Sequence, residues 1–304
     1  MQQPNDYKSL TEHFLTPARE SLSHCSHTRE CPELDDWQWI RMGVNRSIND
    51  ERSGRSFLQD WAMSDESSIG VGHFFETLKS SRRLQLIEEV NTTLAGSMPS
   101  HPDSLIDTLE ELGEIEFDRE DPINAGVLAD QHAATETTGV MMRYIRYQCP
   151  RTGTEYEFIT NHMKIRPGVV AWLYLRRWDI EKTYDTFKNK LSETKAWASS
   201  PTAKKMQAQF LCLAHNLMVL LECDLTGKHG IINHQEIRRC EKRDAQARRE
   251  CNQQNRPHSP LLFSNPHRRS QLTLKFIRWL RYHLRVGSLI YQALQSLRQV
   301  YATF

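Results

Sequence analysis

The sequence predicts a mostly α-helical protein with a small β-hairpin or sheet, and therefore an α+β fold. Apolar residues recur at helical spacing in several segments, most clearly between Val169 and Leu191. A shorter segment, VMMRYIRY, alternates apolar and polar residues, continues into the turn-forming CPRTGTE and returns through YEFIT, which is typical of a hairpin. At 304 residues the chain is long enough for one large domain or two smaller ones.

Changes in composition along the chain predict four regions. They are a helical module over 1–95, an acidic linker over 96–135, a region with the hairpin and the long helix over 136–225, and a basic helical region over 226–304. The linker contains the turn-rich GSMPSHPDS and a short amphipathic helix predicted from Leu105 to Leu112.

Helix-start signals divide the amino-terminal module. Asp35 or Asp36 is expected to cap a helix through WQWIRMGVNRSI, and Ser53 one through GRSFLQDWAM. The segment VGHFFETLKSSRRLQLIEEVNTTL predicts two helices joined near Ser80 and Ser81, or one long bent helix. Three cations lie at this joint, so both a DNA-reading unit and an ordinary helical bundle remain open. They are Lys79, Arg82 and Arg83.

The carboxyl-terminal half contains further predicted helices. Ser199-Ser200-Pro201 marks the start of a helix through MQAQFLCLAHNLMVLLE, which is apolar on most sides and expected to be buried, with His215 as a hydrogen-bonded core residue rather than a ligand. The polar RRCEKRDAQARRECNQQNRPHSP predicts an exposed helix or an arm. One terminal helix, LTLKFIRWLRYHLRVGSLIYQALQSLRQVY, is expected to pack on the core. Its basic side, expected to be free for phosphate, carries Arg278, Arg281 and Arg285.

Charge is unevenly distributed, although the net charge is only +1. Between Lys228 and Arg285 there are fourteen basic residues against four acidic ones, which suits a polyanionic partner. The opposite bias occurs in DSLIDTLEELGEIEFDRED, which is mostly acidic.

The sequence also bears on location and on metal binding. The start, MQQPNDYKSL, lacks the apolar core of a signal peptide, and no run approaches membrane-spanning length, so we expect no membrane contact. Seven cysteines without an export signal predict reduced thiols in the cytoplasm. His24-Cys25-x-His27-x3-Cys31 is not a standard zinc-finger spacing, and we expect these side chains to be unliganded.

The predicted helix between Val169 and Leu191 has two distinct faces. At about 100° per residue, one narrow apolar arc, expected to be buried, contains Leu173, Ile180, Tyr184, Phe187 and Leu191. The neighbouring arc, about 60° wide, contains Tyr174, Arg177, Glu181 and Lys188. A salt-bridged surface would explain this second arc, because Arg177 and Glu181 are four residues apart.

The spacing supports another interpretation. Tyr174-x2-Arg177-x3-Glu181-x6-Lys188, with the preceding EFITNHMKIRPGVVAWLY, resembles the Tyr-Arg-Glu-Lys signature of IS-four-type bacterial insertion-sequence transposases. The resemblance covers roughly Phe117 to Leu221, and the amino-terminal module more loosely. These transposases are DDE enzymes with an RNase H-like fold, so the resemblance implies at least a partial RNase H-like core here.

The resemblance also implies roles for individual residues. Glu181 would be the last carboxylate of the DDE triad and a ligand for a divalent metal, Mg²⁺ or Mn²⁺. Tyr174, Arg177 and Lys188 would hold phosphates of the transposon end, with Arg176 and Trp178 beside them. At about 1.5 Å per residue, Lys188 would lie about 21 Å along the helix from Tyr174, so it would reach a phosphate further along the duplex.

Two of the three expected carboxylates have no clear counterpart. DDE chemistry places three carboxylates around two metal ions. The family's first Asp commonly precedes Gly, and this chain contains no Asp-Gly. Only roughly 45 residues separate the module from the hairpin, too few for several strands and their connections. Asp118 and Asp121 in FDREDP could stand in, but we expect neither to be catalytic.

We therefore predict an internal deletion with a seam near Gly113–Phe117. A sheet shortened in this way would expose the apolar stripe of the signature helix. Two functions remain open. One is metal-dependent DNA cleavage and transfer by an insertion-sequence transposase. The other is DNA binding at the insertion-sequence ends by a catalytically incomplete copy in the bacterial cytoplasm, as a homodimer or in a mixed complex that inhibits full-length transposase.

Overall fold

The computed structural model describes residues 8–31, 33–49, 53–63, 71–98, 117–134, 141–191, 196–263 and 273–303. Within these residues the chain is mostly helical and contains one three-stranded antiparallel sheet, which confirms the α+β prediction. The predicted Leu105–Leu112 helix and most of the predicted seam lie outside the described residues.

The described α-helices are α1 Leu10–Ser23, α2 Asp36–Ile48, α3 Gly54–Met63, α4 Val71–Thr77, α5 Ser81–Gly96, α6 Pro167–Asp185, α7 Pro201–His229, α8 His234–Gln253, α9 Pro260–Phe263, α10 Leu274–Arg285 and α11 Ile290–Thr303. A 3₁₀-helix spans Pro122–Asn124, and a π-helix, Thr186–Lys190, follows α6 directly. The strands are β1 Val127–Ala134, β2 Met141–Gln148 and β3 Glu155–Thr160.

The chain forms two compact units. The first unit comprises Met1–Pro99, Thr183–Ile232 and Arg269–Phe304, and the second comprises Ser100–Lys182 and Asn233–Arg268. This division differs from the four regions expected from composition, because helices that are distant in sequence share the core of the first unit. The predicted 136–225 region is divided between the two units.

The predicted helix starts of the first unit are present. Asp35 caps α2 by accepting a hydrogen bond from the Gln38 backbone N–H at 2.7 Å, and Ser53 does the same for the Ser56 N–H at 3.1 Å. Ser80 caps α5, so α4 and α5 are two helices rather than one bent helix. Ser200 caps α7, which has Pro201 in its first turn.

The core of the first unit is built around α7, which packs against α1, α2 and α5. The Trp39 and Phe210 rings meet edge to face with centroids 4.8 Å apart. Gly43 allows this approach, since a Cβ atom there would lie 2.0 Å from the Phe210 ring. Many residues of α7 are buried, as predicted. By length and hydropathy alone, however, α7 also meets the criterion for a membrane-spanning helix. The sequence-based statement that no run approaches that length was therefore wrong.

The basic cluster at the α4–α5 joint is part of the internal structure of the first unit. Arg83 is 4% exposed and donates a hydrogen bond to the Leu34 carbonyl at 2.6 Å. Arg82 holds the carboxylate of Asp36 through two hydrogen bonds, and Lys79 pairs with a neighbouring glutamate. The structure thus gives Arg82 and Arg83 internal partners, which removes them from a DNA-facing cluster.

The terminal segment is two helices, not the single helix predicted. The break falls at Gly287, whose φ of +62° lies in the left-handed region. Trp279 closes the resulting helix pair by donating its indole N–H to the Ala293 carbonyl at 2.9 Å. Arg281, expected on a free basic side, instead donates to the carbonyls of Ile48 and Lys190.

The sheet of the second unit has one strand more than predicted. The expected hairpin is present as β2 and β3, and β1 pairs with β2 on its other edge. β1 falls in the predicted linker because VLADQHAA lacks a β-branched alternation. On β2, Ile145 is fully buried opposite Phe158, and both contribute to a small core with Ala171 of α6.

Candidate nucleic-acid interface on the signature helix

The start of α6 is fixed by a close contact with the 3₁₀-helix. The Gly168 N–H donates to Asn124 Oδ1 at 3.2 Å, and Asn124 is buried and donates in turn to the Asp118 carbonyl at 2.9 Å. A Cβ atom on Gly168 would lie 1.9 Å from the Ile123 carbonyl oxygen, so a larger residue would displace the helix. The signature helix therefore begins from a defined position in the second unit.

The predicted buried stripe of α6 is largely exposed. Leu173 is 43% exposed, Ile180 57% and Tyr184 56%. Among the described side chains of this helix, Val169 and Ala171 are buried instead. The burial prediction was wrong for these three residues, since an apolar arc is buried only where another element covers it.

The end of the predicted stripe is buried, but in a different local structure. Phe187 and Leu191 are 8% and 2% exposed. The α-helical register ends at Asp185, and Phe187 belongs to the following π-helix in the first unit. Lys188 lies in the same π-helix and is exposed. Its predicted alignment with Tyr174 assumed a continuous α-helix, which the structure does not have.

Tyr174, Arg177 and Glu181 form an exposed face of α6, called the signature face below. The Arg177 guanidinium carbon lies 5.4 Å from the Tyr174 ring centroid, and its Nη2 lies 3.4 Å from Glu181 Oε1. The Tyr174 ring packs against Phe158 with centroids 4.9 Å apart. The side chains of Arg177 and Glu181 are 54% and 43% exposed. This ion pair was one of the two interpretations of the sequence.

Energetically the Arg177–Glu181 pair is weak. Solvent-exposed pairs of this spacing contribute about 0.3–0.5 kcal/mol, because water screens the charges and two flexible side chains must be ordered. An anion such as a phosphate can therefore replace Glu181 as the partner of Arg177 at little energetic cost. Contact with the Tyr174 ring holds the planar guanidinium in place for such an exchange.

The two other predicted DNA contacts lie outside this face. The Arg176 guanidinium carbon lies 5.4 Å from the Trp172 ring centroid, and its side chain is exposed. Arg176 is turned by about 100° from Arg177 around the helix. Trp178 belongs to α6, but its side chain lies outside the described residues.

The two weaker candidate carboxylates stabilise a turn. Asp118 Oδ1 accepts a hydrogen bond from the Glu120 N–H at 2.8 Å. Asp121 Oδ1 accepts one from the Ile123 N–H at 3.0 Å, and its Oδ2 lies 3.2 Å from Arg166. Both side chains thus have local partners that account for their positions.

A carboxylate that the sequence analysis overlooked lies on β1. Asp130 is buried with Arg143 on the adjacent strand, where they form an ion pair. A strand carboxylate suits a DDE metal site, but a buried guanidinium already neutralises this one. Within the described ranges, no group of three or more His, Cys, Asp or Glu residues could hold a metal ion. The described donors therefore do not fit a two-metal site.

The His24–Cys31 segment and His215 were the two other places where a metal ligand was considered. His27 Nδ1 lies 2.6 Å from Glu89 Oε1, and the Cys25 thiol donates to the Ser21 carbonyl at 3.3 Å. Burial, together with the charge and hydrogen bonding of Glu89, raises the pKa of Cys25 to about 11. His215 is half-buried on α7 and, unlike the hydrogen-bonded core histidine that was predicted, its Nδ1 has no hydrogen-bond partner among the described residues.

Comparison of the chain with protein-family models, with curated proteins and with solved structures gave no match. The most distinctive chemical feature of the second unit remains the signature face. It presents a phenol, a guanidinium and a carboxylate to solvent, in mutual contact on one side of a helix.

Proposed function

We propose that this protein is a DNA-binding relative of the IS-four-type DDE transposases with an incomplete catalytic site. In this proposal the second unit retains part of an RNase H-like core, and its signature face contacts the phosphates of insertion-sequence ends. The observation that carries the proposal is the exposed Arg177, supported by the Tyr174 ring and held by Glu181 only through a weak surface pair.

The chemistry of the face suits phosphate better than a neutral ligand. A guanidinium presents a planar fork of donors that can bind two phosphate oxygens at once. The neighbouring phenol can donate a further hydrogen bond. Glu181 would turn away or bind a cation shared with the phosphate when DNA is present. These contacts are independent of base sequence, so they would position a duplex rather than select it.

The proposal of an incomplete catalytic site is supported by the carboxylates of the second unit, which already have structural partners. Asp118 and Asp121 stabilise a turn, and Asp130 is neutralised by Arg143. The exposure of Leu173 and Ile180 is the outcome expected if strands that once covered α6 had been deleted near Gly113–Phe117. Such a protein would act by occupying transposon ends, or by entering mixed complexes with a full-length transposase.

Binding is tested by fluorescence anisotropy with labelled 30-base-pair duplexes that tile the DNA flanking this gene. Arg177→Gln should weaken binding by about tenfold, as expected for the loss of hydrogen bonds to a charged group. Arg55→Gln is the matched control, because Arg55 is an exposed arginine on α3 and its substitution removes the same charge. Equal effects of the two variants, or no binding by the wild type, would contradict the proposal.

Catalysis is tested separately with the same duplexes in Mg²⁺ or Mn²⁺. The proposal predicts no nicking by the wild-type protein. Robust metal-dependent nicking that disappears in Glu181→Ala would instead identify an active transposase, in which Glu181 ligates the metal. Binding and cleavage are thus measured on one set of substrates.

A further inference from the structure

Helix α8 has a buried side and a strongly basic outer side. The buried or half-buried positions recur every three or four residues, as expected for a helix packed along one face. From Ile237 to the end of the helix they are Ile237, Cys240, Asp244, Ala247 and Cys251. On the opposite side, Arg238, Lys242 and Arg249 are exposed and fall within about 40° of one another around the helix. These three cations are called the α8 stripe below.

Contacts at the buried side fix the rotation of α8 within the second unit. Arg151, in the turn between β2 and β3, donates a hydrogen bond to Asp244. At the end of the helix, the Cys251 thiol donates to the Arg256 carbonyl at 3.3 Å. Because Asp244 and Cys251 are held in this way, the α8 stripe points away from the unit to which the helix is attached.

Two sets of cations on α8 differ in their partners. Arg239 and Arg243 lie on the flank of the helix and share Glu236, at 3.4 and 3.6 Å. The residues of the α8 stripe form no hydrogen bond or ion pair with any residue in the described part of the chain. Glu241 borders the stripe but does not pair with it. On its outer side the helix therefore presents three positive charges that no described residue pairs with.

We propose that the α8 stripe binds the phosphate backbone of duplex DNA as a second contact surface. The inference rests on the proposed function in taking DNA as the ligand, but it concerns a surface separate from the signature face. At about 1.5 Å per residue the stripe is about 16 Å long. Duplex DNA carries one negative charge per about 1.7 Å of axis, so several phosphates lie within its reach.

The composition of α8 favours a duplex over other polyanions. Proteins that bind single strands stack bases on aromatic side chains, and α8 contains no Phe, Tyr or Trp. Helices that lie on membranes insert an apolar face, whereas the outer face of α8 has only Ala245 as an apolar residue. The small Ala245 lies between Lys242 and Arg249, where it allows close approach of a phosphate backbone.

The test compares two double variants that remove the same charge from the same helix. R238Q/K242Q removes two cations of the stripe, and R239Q/R243Q removes the two cations paired with Glu236. Both pairs are four residues apart and exposed. Affinity for a 30-base-pair duplex is measured by anisotropy between 50 and 200 mM salt, and thermal unfolding followed by circular dichroism verifies that both variants fold.

Each phosphate contact contributes about 0.9 to the slope of log affinity against log salt. R238Q/K242Q should therefore reduce this slope by about 1.8, so that the wild type loses about tenfold more affinity than the variant across this range. R239Q/R243Q should leave the slope close to that of the wild type. Equal slopes for the two variants, whether reduced or unchanged, would overturn the inference.

The outcomes separate this inference from the proposed function. If Arg177→Gln weakens binding but R238Q/K242Q keeps the wild-type slope, only the α8 inference fails. If the wild type shows no salt-dependent duplex binding, both fail. Tighter binding of single-stranded DNA, duplex RNA or anionic vesicles than of duplex DNA, lost in R238Q/K242Q, would overturn the choice of partner.

Discussion

Arg82 and Asp36 are joined by two parallel hydrogen bonds between helices α5 and α2. Arg82 Nη1 donates to Asp36 Oδ2, and Nη2 donates to Oδ1, each at 2.8 Å. The Arg29 backbone N–H also donates to Oδ2 at 3.0 Å, and Asp36 is only 5% exposed. An arginine that the sequence placed in a basic cluster thus secures the first unit internally.

We expect Asp36→Asn to lower the free energy of unfolding by about 2–4 kcal/mol. The substitution leaves the guanidinium groups of Arg82 and Arg83 without their buried counterion. Chemical denaturation monitored by circular dichroism measures the change. Asp35→Asn is the matched control, since Asp35 is exposed and Asn caps a helix as well as Asp does. A loss of similar size in both variants would contradict a stabilising role specific to the buried Asp36 carboxylate.

Acidification should destabilise the first unit through His215. Burial, with a smaller contribution from the charge of Lys190, lowers the pKa of His215 from 6.5 to about 4. Between these two values the unfolded chain binds a proton that the folded chain does not, so stability falls as pH falls through this window. At pH 5 the loss should be about 2 kcal/mol relative to pH 7.

The measurement is the free energy of unfolding at pH 7 and pH 5 for the wild type and for His215→Gln, which cannot take up the proton. The other histidines contribute equally to the pH dependence of unfolding in both proteins. The pH-dependent loss should therefore be about 2 kcal/mol smaller in the variant. An unchanged pH dependence would show that His215 is solvated in the folded state.

Gly168→Ala should destabilise the second unit, because its Cβ atom would lie 1.9 Å from the Ile123 carbonyl oxygen. Overpacking of this kind costs about 1–3 kcal/mol. Gly227→Ala is the contrasting variant, since a Cβ atom at this helical position of α7 meets nothing within 4 Å. That variant should be stabilised by about 0.5–1 kcal/mol. Thermal unfolding of both variants gives the comparison, and a neutral Gly168→Ala would be inconsistent with this close packing.

The same substitution at two isoleucines of the second unit should change stability by very different amounts. Ile145 is fully buried on β2, and Ile145→Ala should cost about 2–5 kcal/mol. Ile180 is 57% exposed on α6, and Ile180→Ala should change stability by less than about 0.5 kcal/mol. Denaturant titrations test this difference. A large loss of stability in Ile180→Ala would show that Ile180 is buried, as the sequence predicted.

Local signals in the sequence identified much of the helical structure. The caps at Asp35, Ser53 and Ser200 were predictable because a capping side chain bonds to a backbone N–H only three residues away. The β2–β3 hairpin was predictable for a related reason, since its strands are joined by a short turn. β1 was not, because its pairing with β2 depends on a partner strand rather than on its own composition.

In the candidate site, too, local sequence predicted spacing along a helix but not contacts with other elements. The positions of Tyr174, Arg177 and Glu181 on one helical face follow from spacing alone, and the structure keeps them together. Periodicity also predicted burial of Leu173 and Ile180, but an apolar arc is buried only if another element covers it. Lys188 follows the end of the α-helical register at Asp185 and lies in a π-helix, which spacing alone did not predict.

The sequence by itself determined where α2, α3 and α7 begin, which residues share the signature face and where basic residues are concentrated along the chain. Only the tertiary structure decided which charges are available to a partner. Arg82, Arg83 and Arg281 have hydrogen-bond partners inside the protein, whereas the α8 stripe is exposed and has no partner among the residues that the structure describes. The reason is that hydrogen bonding and periodicity within a helix act over a few residues. Burial and ion pairing, by contrast, depend on elements that folding brings together from distant parts of the chain.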